Sequence, residues 1–176
     1  MIILSIVIIS VVGTIAHFIY EISNHNKIVG LFGAVNESTW EHIKIALTAT
    51  FLWSLVDGFI YGINPNYFLA KLLSILIIIF FMPVLFYGYQ FFFKKDNAFI
   101  NILIFYLVII TSQLLFYHFL KLNAVNFIGQ YISCLGTFIT FGAYMTLTLM
   151  PLKNFLFKDP ITNEYGFEGH TDTTKS

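Results

Sequence analysis

Two short stretches of this chain gather the residue types that perform chemistry. His17 and Glu21 stand four positions apart, a spacing that places both side chains on one face of a helix. Asn36-Glu37-Ser38-Thr39-Trp40-Glu41-His42 then brings two carboxylates and an imidazole into seven residues. Carboxylates and imidazoles together bind Zn, Mn or Fe, or act as general acid and base. The sequence therefore offers His17, Glu21, Glu41 and His42 as candidate ligands for a divalent transition metal. Asn36, Glu37, Ser38 and Trp40 complete the candidate lining of one pocket. No His-Glu-x-x-His signature is present, so no hydrolase class follows from spacing alone. Helix capping accounts for part of the block. Ser38 followed by Glu41 has the form of a capping box, and Glu37 would be favoured by the helix dipole. Capping leaves His17, Glu21 and His42 unexplained.

The elements that must hold these residues are apolar throughout. Of 176 residues, 58% are hydrophobic and 10% are charged, and the mean hydropathy is +0.82. A soluble domain carries about 25% charged residues, so this chain cannot cover itself with a water-soluble surface. Five stretches reach the roughly 20 apolar residues needed to cross a bilayer. They are residues 2–22, 43–63 (with the helix starting at Thr39), 67–93, 99–120 and 127–150. Gly62-Ile63-Asn64-Pro65-Asn66 is a turn by composition, Pro83 predicts a kink in the third span, and Pro151 closes the fifth. The expected fold is an all-α integral membrane protein, with one five-helix bundle over residues 1–151 and a polar tail over 152–176. The first span lacks a basic leading region and reads as a retained helix rather than a signal peptide.

Charge placement predicts orientation and partners. All nine basic residues are lysine. Lys27, Lys44, Lys94, Lys95, Lys153, Lys158 and Lys175 fall on the side of the tail, whereas only Lys71 and Lys121 fall on the other. The positive-inside rule then puts the tail in the cytoplasm and the N-terminus outside, with the plasma membrane as the expected location. The bilayer is the expected partner. The absence of arginine and of any basic patch argues against nucleic acid. Near the outer face, Asp57 and Lys71 occur at similar depth on helices joined by a short hairpin, which predicts an ion pair. The other reading of this region is a cation or proton path between the two clusters, with Gln113 and Ser54 midway.

The connection over residues 23–38 is too apolar for a free loop. Ile28, Val29, Leu31, Phe32 and Val35 call for burial, and Gly30 and Gly33 permit tight turning. It is expected to fold back against the bundle, bringing the Glu37–His42 block to His17 and Glu21. In the tail, Asp159-Pro160-Ile161-Thr162-Asn163 reads as a defined turn that could close the site from below.

His17-Phe18-Ile19-Tyr20-Glu21, Ala34-Val35-Asn36-Glu37-Ser38-Thr39-Trp40-Glu41-His42-Ile43-Lys44 and the tail segment Asp159-Pro160-Ile161-Thr162-Asn163-Glu164-Tyr165-Gly166 together resemble a family of small multi-pass bacterial membrane proteins of unknown function. Ala34 stands where the family pattern has proline. The resemblance implies a multi-pass membrane protein and carries no activity. Three function classes stay open: small-molecule or ion handling through a cytoplasm-side polar pocket, a membrane-embedded metal-dependent or acid/base enzyme, and a structural or accessory subunit.

Topological reporters test the lysine argument. Fusions after Asn97 and at Ser176 are expected to report cytoplasmic, and a fusion after Asn64 external. An external signal at Ser176 would reverse the orientation.

Overall fold

The computed structural model describes residues 1–94 and 97–169. Five long helices are apolar enough to cross a membrane: α1 (Ile2–Ile22), α3 (Thr39–Tyr61), α4 (Tyr67–Phe93), α5 (Ala98–Phe119) and α6 (Phe127–Leu149). A short helix, α2 (Lys27–Gly30), lies in the first connection, and a 3₁₀ turn (Gly166–Gly169) lies in the tail. No β-strand occurs among the described residues. The chain is an all-helical membrane bundle.

Local chemistry sets the helix ends. The side chains of Asn26, Ser38, Asn97 and Asn126 each accept backbone N–H groups at the start of α2, α3, α5 and α6, which are donors a helix cannot satisfy internally. α4 runs on through Pro83 without interruption, as membrane helices can when neighbours shield the freed carbonyl.

α3 is the central helix. Over its membrane-length window 56% of residues are buried, against 22–39% in the other four. It packs on α1, α4, α5 and α6, while α5 lies between α1 and α4. Ile43, Ala46, Leu47, Ile75, Ile78, Val108 and Ile109 form the core between them. In lipid, helix association rests on close packing rather than on escape from water. Gly13 shows this: a Cβ there would come within 2.7 Å of the Phe105 ring.

The end of the bundle opposite the tail is fastened by buried polar groups. Asp57 and Lys71 are fully buried and pair at 2.6 Å. The Tyr67 hydroxyl donates to the other Asp57 oxygen at 2.7 Å, and the Lys71 ammonium lies 4.3 Å from the Phe116 ring centroid. Asn66, also buried, donates to the carbonyls of Leu122 and Asn123 and accepts from Val125 N–H. The α3–α4 hairpin is thus tied to the α5–α6 connection.

Removing one partner of a buried pair strands the other charge. Lys71→Met is expected to lower stability in detergent by about 3 kcal/mol or more, and adding Asp57→Asn should recover part of the loss. Strictly additive losses in the double variant would show that the two charges do not interact.

Candidate functional site

The site is built around the first connection, and a buried lysine holds that connection in place. Lys44, one turn inside α3, is completely buried. Its ammonium donates to the Gly30 carbonyl at 2.8 Å and pairs with Glu41 at 2.5 Å. The same Glu41 oxygen accepts Val35 N–H at 2.8 Å. The pair therefore grips the connection at two backbone points and draws it against α1, where Ala34 N–H donates to the Ala16 carbonyl at 3.0 Å. Gly33 fits here because a Cβ would crowd that carbonyl at 2.9 Å. The glycines of this connection serve close approach rather than unusual backbone angles; the left-handed residues are Asn24 and His25. Val35 is buried as the pattern requires, but Ile28 stays 71% exposed because α2 turns it outward.

The tail forms the floor. Asp159 is buried, and one carboxylate oxygen accepts Glu37 N–H at 2.9 Å. The other oxygen accepts from Ile161 N–H, Thr162 N–H and the Thr162 hydroxyl, closing the expected turn. Asn36 donates its side-chain amide to the Gly166 carbonyl and accepts Ser38 N–H. Trp40 stacks on Phe157 with ring centroids 4.6 Å apart, and its backbone N–H donates to the Leu156 carbonyl.

Between these supports, three side chains from three segments converge. His17 Nε2 lies 3.6 Å from one Glu37 oxygen, and His42 Nε2 lies 3.8 Å from the other. The imidazole centroids are 5.4 Å apart, and one potential ligand atom from each residue falls within 4.8 Å of the rest. Ligand atoms at 2.0–2.2 Å from a tetrahedral zinc are separated by about 3.4 Å, so the observed gaps are near the edges of such a site. His42 Nδ1 lies 3.0 Å from the Ser38 carbonyl. That bond selects the tautomer in which Nε2 keeps its lone pair and faces the cluster, the arrangement typical of metal-bound histidines.

The cluster lies where two openings meet. On the membrane side is a cavity of about 250 Å³ between α1, α3 and α5. Thr14, His17, Glu37, His42, Asn101 and Tyr106 supply its polar wall, and Phe18, Ile45, Ala98, Ile102 and Phe105 supply the rest. On the tail side is a cleft of about 50 Å³, bordered by His17, Glu21, Ala34, Val35, Asn36, Glu37, Asp159 and Gly169. A small polar cleft and a larger chamber thus share His17 and Glu37.

Residues 1–167 match DUF6512, a family of unknown function. The chain belongs to that family. No curated protein and no solved structure matches it. For this DUF6512 chain the chemistry must therefore be argued from its own residues.

The structure divides the sequence candidates. His17 and His42 meet as the spacing suggests. Glu41 turns away from them, because Lys44 and Val35 N–H hold its carboxylate on the far side of α3. For the same reason only half of the capping box forms: Ser38 accepts Glu41 N–H at 3.4 Å, but Ser38 N–H goes to Asn36. Glu21 is exposed and borders the tail-side cleft rather than joining the trio. Its place is taken by Glu37, which the sequence offers only as pocket lining. Asn36, Ser38 and Trp40 are supports that do not line the membrane-side cavity. Asn101 and Tyr106 had no sequence signal beyond being polar in an apolar span, and Thr14 was readable as lying three residues before His17.

Asp159 carries both the Glu37 backbone and the tail turn. Asp159→Ala is expected to free the tail and to raise its cleavage by added protease severalfold, an effect Thr162→Ala should share only in part. An unchanged cleavage rate for Asp159→Ala would show that the turn is held by something other than this carboxylate.

Proposed function

We propose that this protein is a membrane-embedded, metal-dependent enzyme whose centre is His17, Glu37 and His42. The observation that carries this reading is their convergence at ligand-like spacing, with one imidazole already oriented by a backbone carbonyl. Among the described residues the ion-pair partners of Glu37 are those two imidazoles alone, so the trio contains no permanent cation of its own. Two histidines and a carboxylate are the ligand set of catalytic zinc and of non-haem iron, with positions left open for water or substrate. A metal so held would polarise a substrate oxygen and make bound water acidic. Glu21, at the edge of the tail-side cleft, would exchange protons with that water.

The reading includes a location in the plasma membrane with the tail in the cytoplasm. Lys44 and Lys71 are each buried in a pair and carry no topological weight. Of the remaining lysines, Lys27, Lys94, Lys95, Lys153, Lys158 and Lys175 lie on the tail side and Lys121 on the other, a sharper bias than the raw count. Ion conduction draws less support, because Asp57 and Lys71 are buried and neutralise each other.

Purified protein is expected to retain about one equivalent of a transition metal, as a single three-ligand site requires. Glu37→Gln and the pair His17→Ala, His42→Ala should abolish retention. Glu21→Gln should keep the metal. Binding should weaken in acid, since a metal ligand must give up its proton before it can bind. Folded protein with no affinity for zinc, manganese or iron would end this reading.

A further inference from the structure

We propose that the groove between α1 and α5 holds the hydrocarbon chain of a bilayer amphiphile, with the oxygen-bearing head of that molecule at the His17–Glu37–His42 cluster. The proposal builds on the metal-centre reading and names its substrate class: a fatty-acyl molecule that enters from the membrane rather than from water.

The groove has a volume of about 450 Å³ and is bordered by Val7, Ser10, Val11 and Thr14 of α1 and by Tyr106 and Ile110 of α5. The α1 positions recur at helical spacing and form one face. Val7, Val11 and Ile110 are exposed on the bundle surface, where lipid lies in a membrane. The groove joins the chamber of the site, since Thr14 and Tyr106 border both. Their hydroxyls are 3.1 Å apart and hydrogen-bonded, so the joint between groove and chamber is a pair of small polar groups that can part or can bond a head group.

Depth argues for a lipid. Val7 to His17 is ten residues, roughly 15 Å along a helix at 1.5 Å per residue. That is about half of a hydrocarbon core of ~30 Å. Counted on α1 (Ile2–Ile22), Val7 is five residues from the outer end and His17 five from the tail-side end, so groove and chamber cross the middle of the bilayer and end at a polar cluster in the tail-side leaflet. A lipid of the tail-side leaflet would lie along the groove with its head at the cluster and its chain tip past the bilayer midplane. Chemistry agrees with depth. The chamber walls are mostly apolar, which suits a chain, while open metal positions and the nearby Asn101, Thr14 and Tyr106 suit oxygen atoms. A free polar metabolite would leave Phe18, Ile102 and Phe105 without a partner.

The test uses the full-length protein in phosphatidylcholine vesicles with a palmitic acid analogue carrying a mid-chain diazirine. Photolysis is expected to place adducts on the Val7–Thr14 stretch of α1 and around Tyr106–Ile110 of α5. Ser10→Trp, which fills the groove, should lower adduct yield there about tenfold and leave metal content unchanged. Ile110→Trp blocks the same groove from the opposite wall and serves if the first variant does not fold. A diazirine analogue of butyric acid, added from water, should label these positions weakly. Equal labelling of all lipid-facing helices, including Ile132 and Phe138 of α6, would overturn the proposal. So would undiminished labelling in both tryptophan variants that still hold metal, or equal labelling by the short analogue. Specific labelling of protein that cannot bind metal would support the lipid groove and overturn the metal centre instead.

Discussion

The arrangement of the tail end follows from one buried cation. An ammonium with no exposure to water must find partners within the protein, and Lys44 finds them in Glu41 and the Gly30 carbonyl. Glu41 in turn has an acceptor oxygen to share, and Val35 N–H takes it. These contacts fix residues 30 and 35 against the first turn of α3. The chain between them can then reach Ala16 on α1, and the residues just after it, Asn36 to Ser38, arrive at the start of α3 with little freedom left. Replacing such a pair by apolar groups is often neutral or stabilising elsewhere. Its use here fits a role in choosing one path for the connection, because an apolar core would hold residues 23–38 near the bundle without specifying where Glu37 points.

The bundle carries charged groups at both ends and uses them in opposite ways. Asp57, Lys71 and Tyr67 satisfy one another inside the bundle, with an aromatic ring over the ammonium. Nothing further is required of that cluster. His17, Glu37 and His42 are partly exposed, lie at longer distances and bring no fixed cation. A half-exposed carboxylate between two imidazoles is a charge distribution completed by protons or by a metal. The first cluster closes the bundle; the second leaves it chemically unfinished, beside a chamber large enough for a ligand.

Much of this was legible in the residues. The span pattern needs only counting, because a membrane demands about twenty apolar residues per crossing, and the start of α3 is signalled by Ser38. The return of the 23–38 connection could be inferred from apolar residues that a free loop would not carry. The converging trio was harder to read. Spacing placed Glu41 beside His42 in sequence, but a helix sends adjacent residues about 100° apart, and Lys44 at i+3 from Glu41 claims its carboxylate. The signal was present, since an i, i+3 acid–base pair inside an apolar helix should neutralise itself before serving a ligand. Glu37 was hidden by a sound general argument, that an acid before a helix start answers the dipole. Its true setting depends on Asp159, more than a hundred residues away. Asn101 and Tyr106 could not be placed without knowing that α5 lies beside α1.

The tail is therefore part of the site rather than an appendage. Glu37 belongs to no helix; its backbone is held by Asp159, and Asp159 is oriented by the turn through Thr162 and by Glu164, whose carbonyl accepts Asp159 N–H at 2.9 Å. His17 and His42 ride on long helices packed against each other, so their separation is set by the bundle. The carboxylate that joins them is set by the tail. Any binding event or strain that moved residues 159–166 would shift Glu37 relative to two fixed imidazoles, and metal affinity falls steeply when the partners that orient a ligand are lost. The same movement would widen the cleft bordered by Glu21 and Asp159. The opening of that cleft and the geometry of the His17–Glu37–His42 cluster are in this way coupled through a single carboxylate outside the membrane helices.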